Sequence, residues 1–155
     1  MQSKLFLFPY RTKFIGIFLI LISLVFAWLY FRGGKPDFFN IRIFAVISAY
    51  LETRYFVWAQ TNILDELAAV FLIAGITFFS FSKEKTESDL LNSFRIKALF
   101  NSLFLTVAWW ILSIFLIYGL AIFIVSSGVL ILYLVNYNLF FRYYRYKNSN
   151  GSSFI

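Results

Sequence analysis

The sequence predicts an all-α membrane protein with four transmembrane helices, both termini in the cytoplasm, and a small extracytoplasmic β-ribbon or interfacial segment between helices one and two. Of its 155 residues, 61% are hydrophobic, 23% are aromatic and only 14% are charged, which lies outside the range of soluble domains. A soluble domain of this length buries only about two-thirds of its surface, so lipid must solvate much of this chain. Four apolar segments also approach the roughly 20 residues that a helix needs to cross a bilayer. They are residues 14–31, 63–82, 98–118 and 119–141 of a single membrane domain that covers residues 1–155.

The first segment, residues 14–31, is interpreted as an uncleaved membrane anchor. Lys4, Arg11 and Lys13 precede it, a pattern that secretory signal peptides share. However, no small-x-small cleavage site follows, and the apolar run is longer than the core of a signal peptide.

The extracytoplasmic loop, residues 32–62, contains two β-prone pieces. In residues 40–50, isoleucine or alanine stands at every second position from 41 to 49. Residues 54–60 are a second β-prone stretch, and together the two favour a two-stranded ribbon. An interfacial helix is the alternative, because one helical face would then contain Phe38, Ile41, Ala45 and Ser48.

The second segment opens with Asn62, a favoured helix cap, and then Asp65 and Glu66. Carboxylates in a first helical turn are stabilised by the positive end of the helix dipole, which is our preferred interpretation of both residues. The alternative is an ion or proton site near the membrane interface. Side chains at i and i+1 point about 100° apart on a helix, so Asp65 and Glu66 do not form a shared-proton dyad by themselves.

The cytoplasmic loop, residues 83–97, connects the second and third segments and contains seven charged residues. With Thr86 or Ser88 as a helix cap, the third helix is expected to begin about two turns before the bilayer. The charge run is interpreted as a solvated connector. The alternative is a cytoplasmic docking surface for a protein partner, made by Lys83, Glu84, Lys85, Glu87 and Arg95.

The run from Ala98 to Phe141 contains no charged residue and is about twice as long as one span requires. It must therefore reverse direction. Tyr118-Gly119 is the favoured position, because glycine accepts a positive φ, and Ser126-Ser127-Gly128 is the alternative. Small residues recur every four positions at Ala98, Ser102 and Thr106, which predicts close approach of a neighbouring helix.

Orientation follows from the cations, because short cytoplasmic loops are enriched in Lys and Arg. With four spans, the N-terminus, the loop 83–97 and the tail share one side and hold ten of the 14 cations. The sequence therefore predicts a multi-pass protein of the inner membrane with both termini inside. With three spans the cations would divide equally between the two sides.

The chain has no cysteine and no histidine. These absences remove disulfides, thiolate metal sites and the commonest general base. We therefore expect a non-enzymatic protein that uses no cofactor and no metal and does not bind nucleic acid directly.

One resemblance extends over roughly residues 44–144. It rests on Asp65-Glu66-Leu67-Ala68, Ile73-Ala74-Gly75 and Phe81-Ser82-Lys83-Glu84-Lys85, followed by Glu87 and Arg95. In these residues the chain resembles a group of small, uncharacterised bacterial four-helix membrane proteins. The resemblance implies the same architecture and a regulatory partnership, and it transfers no catalytic residue.

Two functions are expected from these features. The first is an accessory or regulatory component of a membrane complex, with a protein partner in the membrane or at the cytoplasmic junction. The alternative is a small transporter or channel that works as a homo-oligomer, with Asp65 and Glu66 at its outer mouth. Membrane lipid surrounds the protein in both cases.

Overall fold

The computed structural model describes residues 6–33, 36–49 and 53–151. They form helices and one two-stranded sheet, in the order α1 (Thr12–Phe31), a short 3-10 helix (Asp37–Phe39), β1 (Asn40–Ala49), β2 (Thr53–Asn62), α2 (Leu64–Ser80), α3 (Asp89–Leu116), α4 (Leu120–Ser127) and α5 (Val129–Gly151). The chain divides into two compact units. We call Phe18–Gly75 the ribbon unit, and Met1–Ile17 with Ile76–Ile155 the helical unit.

In the ribbon unit, β1 and β2 pair antiparallel from Asn40 opposite Asn62 to Ala49 opposite Thr53. The predicted β-ribbon is confirmed and the alternative of an interfacial helix is wrong. Alternating β-branched and aromatic side chains fit a pleated ladder, and this preference outweighs the weaker helical periodicity. The ladder omits Val46 and Phe56, and Phe56 has a left-handed φ of 52°. The connection between the strands, residues 50–52, lies outside the described residues.

In the ribbon unit, α1, the 3-10 helix and α2 contribute aromatic rings that pack together. The ring of Phe26 lies 5.6 Å from that of Phe39 and 5.8 Å from that of Phe71, and Leu64 is fully buried. Asn62 Oδ1 accepts a hydrogen bond of 3.2 Å from the Leu64 backbone N–H. The asparagine therefore helps to start α2, as its sequence position predicts.

In the helical unit, α3 packs against α5 through the predicted small-residue stripe. Ala98, Ser102 and Thr106 are all buried, and Thr106 Oγ1 accepts a 3.1 Å hydrogen bond from Asn136 Nδ2. Small side chains let the two helices approach closely. Ala98 belongs to a buried cluster with Tyr137 and Phe141, whose rings stack at 6.2 Å.

Ser88 caps α3, because its Oγ accepts a 3.3 Å hydrogen bond from the Leu91 N–H. The expected early start of the third helix, well before its apolar part, is thereby confirmed.

Both positions proposed for a break in the long apolar run are used. The chain leaves α3 and begins α4 at Gly119, which has a φ of 71°. A second break at Gly128 bends α4 against α5 by 44°. The preferred reversal is thus confirmed, and the alternative position is a bend within the final apolar segment.

Among the described residues, α1 and α3 are long and apolar enough to cross a membrane, and α4 with α5 makes a third crossing if the bent pair is one span. With 17 residues, α2 rises about 26 Å, slightly less than the roughly 30 Å of a bilayer core. A mostly helical chain with two helices that are long and apolar enough to cross a membrane is confirmed. The count of four spans, the sidedness and the single domain of residues 1–155 stay predictions.

Candidate functional site

The helical unit contains a charged junction that ties the segment before α1 to the loop after α2. The Phe8 N–H donates to the Phe81 carbonyl and the Lys83 N–H donates to the Phe8 carbonyl, both at 2.9 Å. The Thr12 and Ser82 hydroxyls lie 2.8 Å apart. Two strand-like backbone bonds and one side-chain bond therefore fix the loop next to α1. No sequence pattern indicated this pairing, because residues 70 or more positions apart supply it.

Glu84 joins this loop to α1 and to α5. Lys13 Nζ donates a 2.8 Å hydrogen bond to Glu84 Oε1, and Arg145 Nη1 lies 3.6 Å from Oε2. Burial by itself would raise the pKa of Glu84. The hydrogen bond and charge of Lys13, helped by Arg145 and Arg95, outweigh burial, so the pKa lies below its ordinary value. The side chain is therefore ionised at neutral pH.

Arg95 forms the inner part of the junction, with a side chain that is only 1% exposed. Its Nη2 donates to Glu87 Oε1 at 2.8 Å and its Nη1 donates to the Ser82 carbonyl at 3.3 Å. The guanidinium lies 5.0 Å from the centre of the Phe141 ring, a cation–π contact. No described residue accepts a hydrogen bond from Nε. The buried Arg95 side chain thus connects α3 to the loop before it and to Phe141 of α5.

The five residues predicted as a docking surface divide into two groups in the structure. Glu84, Glu87 and Arg95 are engaged in the internal pairs described above. Lys83 and Lys85 remain exposed, and Lys85 Nζ lies 5.8 Å from the centre of the Tyr10 ring. The two lysines thus keep exposed positive charge that no carboxylate of this group is turned to. The docking role itself stays a prediction.

A pocket of about 230 Å³ opens beside Glu84 in the helical unit. The cations Lys13 and Arg142 lie 5.4 and 5.7 Å from the centre of the Phe79 ring. The pocket is lined by Lys13, Phe79, Ser80, Glu84, Asn138, Phe141, Arg142 and Arg145. Sequence reasoning missed this site. Its one signal was the placement of cations beside aromatic residues at the ends of several apolar segments.

Two of the lining residues, Ser80 of α2 and Asn138 of α5, form a polar pair. Asn138 Nδ2 donates a hydrogen bond of 2.6 Å to Ser80 Oγ. Ser80 Oγ in turn donates a hydrogen bond of 2.6 Å to the Ile76 carbonyl. The two side chains therefore satisfy each other and the backbone, as polar groups between membrane helices commonly do.

Asp65 and Glu66 lie in the first turn of α2, in the ribbon unit, and both are exposed. This position fits stabilisation of the helix start. Among the described residues, no three acidic side chains come together in an arrangement that could hold a metal ion. The ion or proton site at this pair stays a prediction.

Comparison of the chain with protein-family models, with curated proteins and with solved structures finds no match. The functional argument therefore rests on the chemistry of the chain itself.

Proposed function

We propose that this chain is a non-enzymatic protein of the bacterial inner membrane, with four spans and both termini in the cytoplasm, and that it acts as an accessory or regulatory component of a membrane complex. The observation that carries the proposal is the junction of Phe8, Ser82, Glu84 and Arg95, which holds the loop between α2 and α3 in one conformation. A loop that is already ordered loses little conformational entropy when a partner binds to it.

The partner is expected to be a protein with an acidic surface. The acidic side chains Glu84 and Glu87 are turned to internal cations, whereas Lys83 and Lys85 are exposed. The junction therefore offers positive charge from a fixed backbone. Complementary charge accelerates association and sets orientation, and its effect weakens as salt is added.

The proposed orientation is supported by the positions of the cations. Glu84, between Lys83 and Lys85 in the sequence, lines the same pocket as Arg142 and Arg145. The positive-inside rule assigns this group of cations to the cytoplasm. A soluble cytoplasmic protein would meet these residues first.

The test is amine-reactive cross-linking of the full chain in native membranes, followed by purification. Lys83→Arg with Lys85→Arg keeps the charge and removes both amines, whereas Lys83→Glu with Lys85→Glu reverses the charge. The proposal predicts one discrete protein adduct that is lost in both pairs. The same protein should still co-purify with the arginine pair and should be lost with the glutamate pair.

Lys97→Glu is the matched control, because Lys97 is an exposed cation within α3, more than two helical turns after Lys85 in the sequence. Co-purification should survive this change. Adducts with lipid alone, or a co-purified protein that is indifferent to charge reversal at Lys83 and Lys85, would contradict the proposal. An adduct of twice the chain's mass would identify a second copy as the partner.

A further inference from the structure

We infer that the pocket beside Glu84 binds a phosphate group, supplied either by the headgroup of an anionic membrane lipid or by a free phosphate compound. This inference does not depend on the proposed protein partner, because the pocket and the exposed Lys83 and Lys85 are separate features.

The charge of the pocket requires an anion. Three of its lining residues are cations and one is a carboxylate, so the lining carries a net charge of +2. The single carboxylate, Glu84, is already shared between Lys13 and Arg145. Cations that converge on one cavity repel each other unless an anion enters. The third cation, Arg142, lies over the Phe79 ring and is left to pair with an entering anion.

The chemistry of the lining fits an oxyanion better than a halide, and three cations around one cavity suit the greater negative charge of phosphate. A guanidinium presents parallel N–H donors that match two phosphate oxygens, and a lysine adds a point charge. Two guanidinium groups, those of Arg142 and Arg145, and the ammonium of Lys13 line the pocket. Asn138 donates to Ser80 and to the Leu134 carbonyl, so recognition falls to the cations.

The size of the pocket selects a small group. The volume of the pocket is about 230 Å³. Pockets for drug-sized ligands are larger, at about 300–1,000 Å³. A phosphate with a short polar substituent is the expected occupant, and the rings of Phe79 and Phe141 form an apolar wall beside it.

The position of the pocket along the helices matches the depth of lipid headgroups. Lys13 is the second residue of α1, Ser80 is the last residue of α2, and Arg142 follows the final apolar turn of α5. Each therefore lies where an apolar segment meets its flanking cations, which is where lipid phosphates lie.

The test is native mass spectrometry of the detergent-solubilised full chain, titrated with phosphatidylglycerol and, separately, with phosphatidylcholine. Arg142→Gln should weaken phosphatidylglycerol binding about fivefold, because one cation near an anionic headgroup contributes about that factor. Lys147→Gln removes a cation from the same helix outside the pocket and should change binding less than twofold. Glu84→Gln removes the resident competitor and should strengthen binding.

A second titration with inorganic phosphate, read as a rise in the thermal unfolding midpoint, distinguishes the two sources. Protection by phosphate that is lost in Arg142→Gln identifies a free phosphate compound. Arg142-dependent binding of phosphatidylglycerol without protection by inorganic phosphate identifies a lipid headgroup. The inference is overturned if neither probe responds to Arg142→Gln more than to Lys147→Gln, or if Glu84→Gln weakens binding while the variant remains folded.

Discussion

Removing Glu87 should destabilise this protein more than removing Arg95, although each change breaks the same ion pair. The difference comes from burial. The Arg95 side chain is 1% exposed, whereas Glu87 is 27% exposed. Glu87→Ala leaves a buried guanidinium without its carboxylate, which costs about 3–5 kcal/mol. It also removes the acceptor of the Glu84 N–H, which lies 2.6 Å from Glu87 Oε1.

Arg95→Met keeps most of the side-chain volume and leaves a carboxylate that water can reach. It loses the charge-assisted hydrogen bond to Glu87, worth about 1.5–3 kcal/mol, and the longer bond to the Ser82 carbonyl, worth about 0.5–1.5 kcal/mol. Arg95→Met also removes the buried Nε, for which no described residue is a hydrogen-bond acceptor. Because an unpaired buried donor costs about 1–3 kcal/mol, its removal offsets part of the loss. The net loss should be about 0–2 kcal/mol.

The assay is thermal unfolding of the full chain in detergent, followed by size-exclusion chromatography. Glu87→Ala should lower the midpoint by at least 2–4 °C more than Arg95→Met, since about 1 kcal/mol corresponds to that shift for chains of about this length. Adding Arg95→Met to Glu87→Ala should restore part of the loss, because the stranded charge is removed. Lys97→Met, at an exposed position of α3, controls for loss of a cation. Greater damage from Arg95→Met, or no recovery in the double variant, would refute the reasoning.

Three further predictions test the reversal, the polar pair and the acid dependence. Gly119→Ala should lower the free energy of unfolding by about 1–3 kcal/mol, because its φ of 71° with ψ of −148° is a backbone region that only glycine occupies readily. Gly128 has a helical φ, and an added Cβ would make ordinary contacts there. Gly128→Ala should therefore be neutral or stabilising in the same unfolding assay. A double-mutant cycle of Ser80→Ala and Asn138→Ala should give a coupling of about 0.5–2 kcal/mol, and a value near zero would show that the 2.6 Å bond contributes nothing. Because the pKa of Glu84 is lower in the folded state than its ordinary value of 4.5, its stabilisation should be complete at neutral pH and lost as the pH falls through the lowered pKa. Glu84→Gln should flatten that acid limb, and an unchanged slope below about pH 4.5 would contradict the assignment.

The helices and the ribbon could be predicted from sequence because local patterns specify them. Alternation specified β1 and β2, Asn62 and Ser88 marked helix starts, and the stripe through Ala98 marked the face of α3 that meets α5. Gly119 was identified because a positive φ is a property of one residue type. These features need no knowledge of distant partners.

The junction and the pocket could not be predicted, because they depend on which distant residues meet. Glu84 looked like one charge in a solvated run, yet Lys13 and Arg145 reach it from far along the chain. Arg95 looked like a surface cation at a helix entry, and its burial depends on Glu87, Ser82 and Phe141 packing around it. Charge patterning gives the number of cations on a side of the membrane but does not give their pairing.

The central claim, four crossings with both termini in the cytoplasm, can be measured directly because the natural chain has no cysteine. Asp37→Cys, Lys85→Cys and Lys147→Cys each introduce one thiol at an exposed position. A membrane-impermeant maleimide applied to intact cells should label only Asp37→Cys, and permeabilised cells should show labelling of all three. Labelling of Lys147→Cys but not Lys85→Cys in intact cells would mean that α3, α4 and α5 cross the membrane an odd number of times. Equal labelling of Asp37→Cys and Lys85→Cys in intact cells would mean that α2 does not cross, and either result would contradict the four-span account.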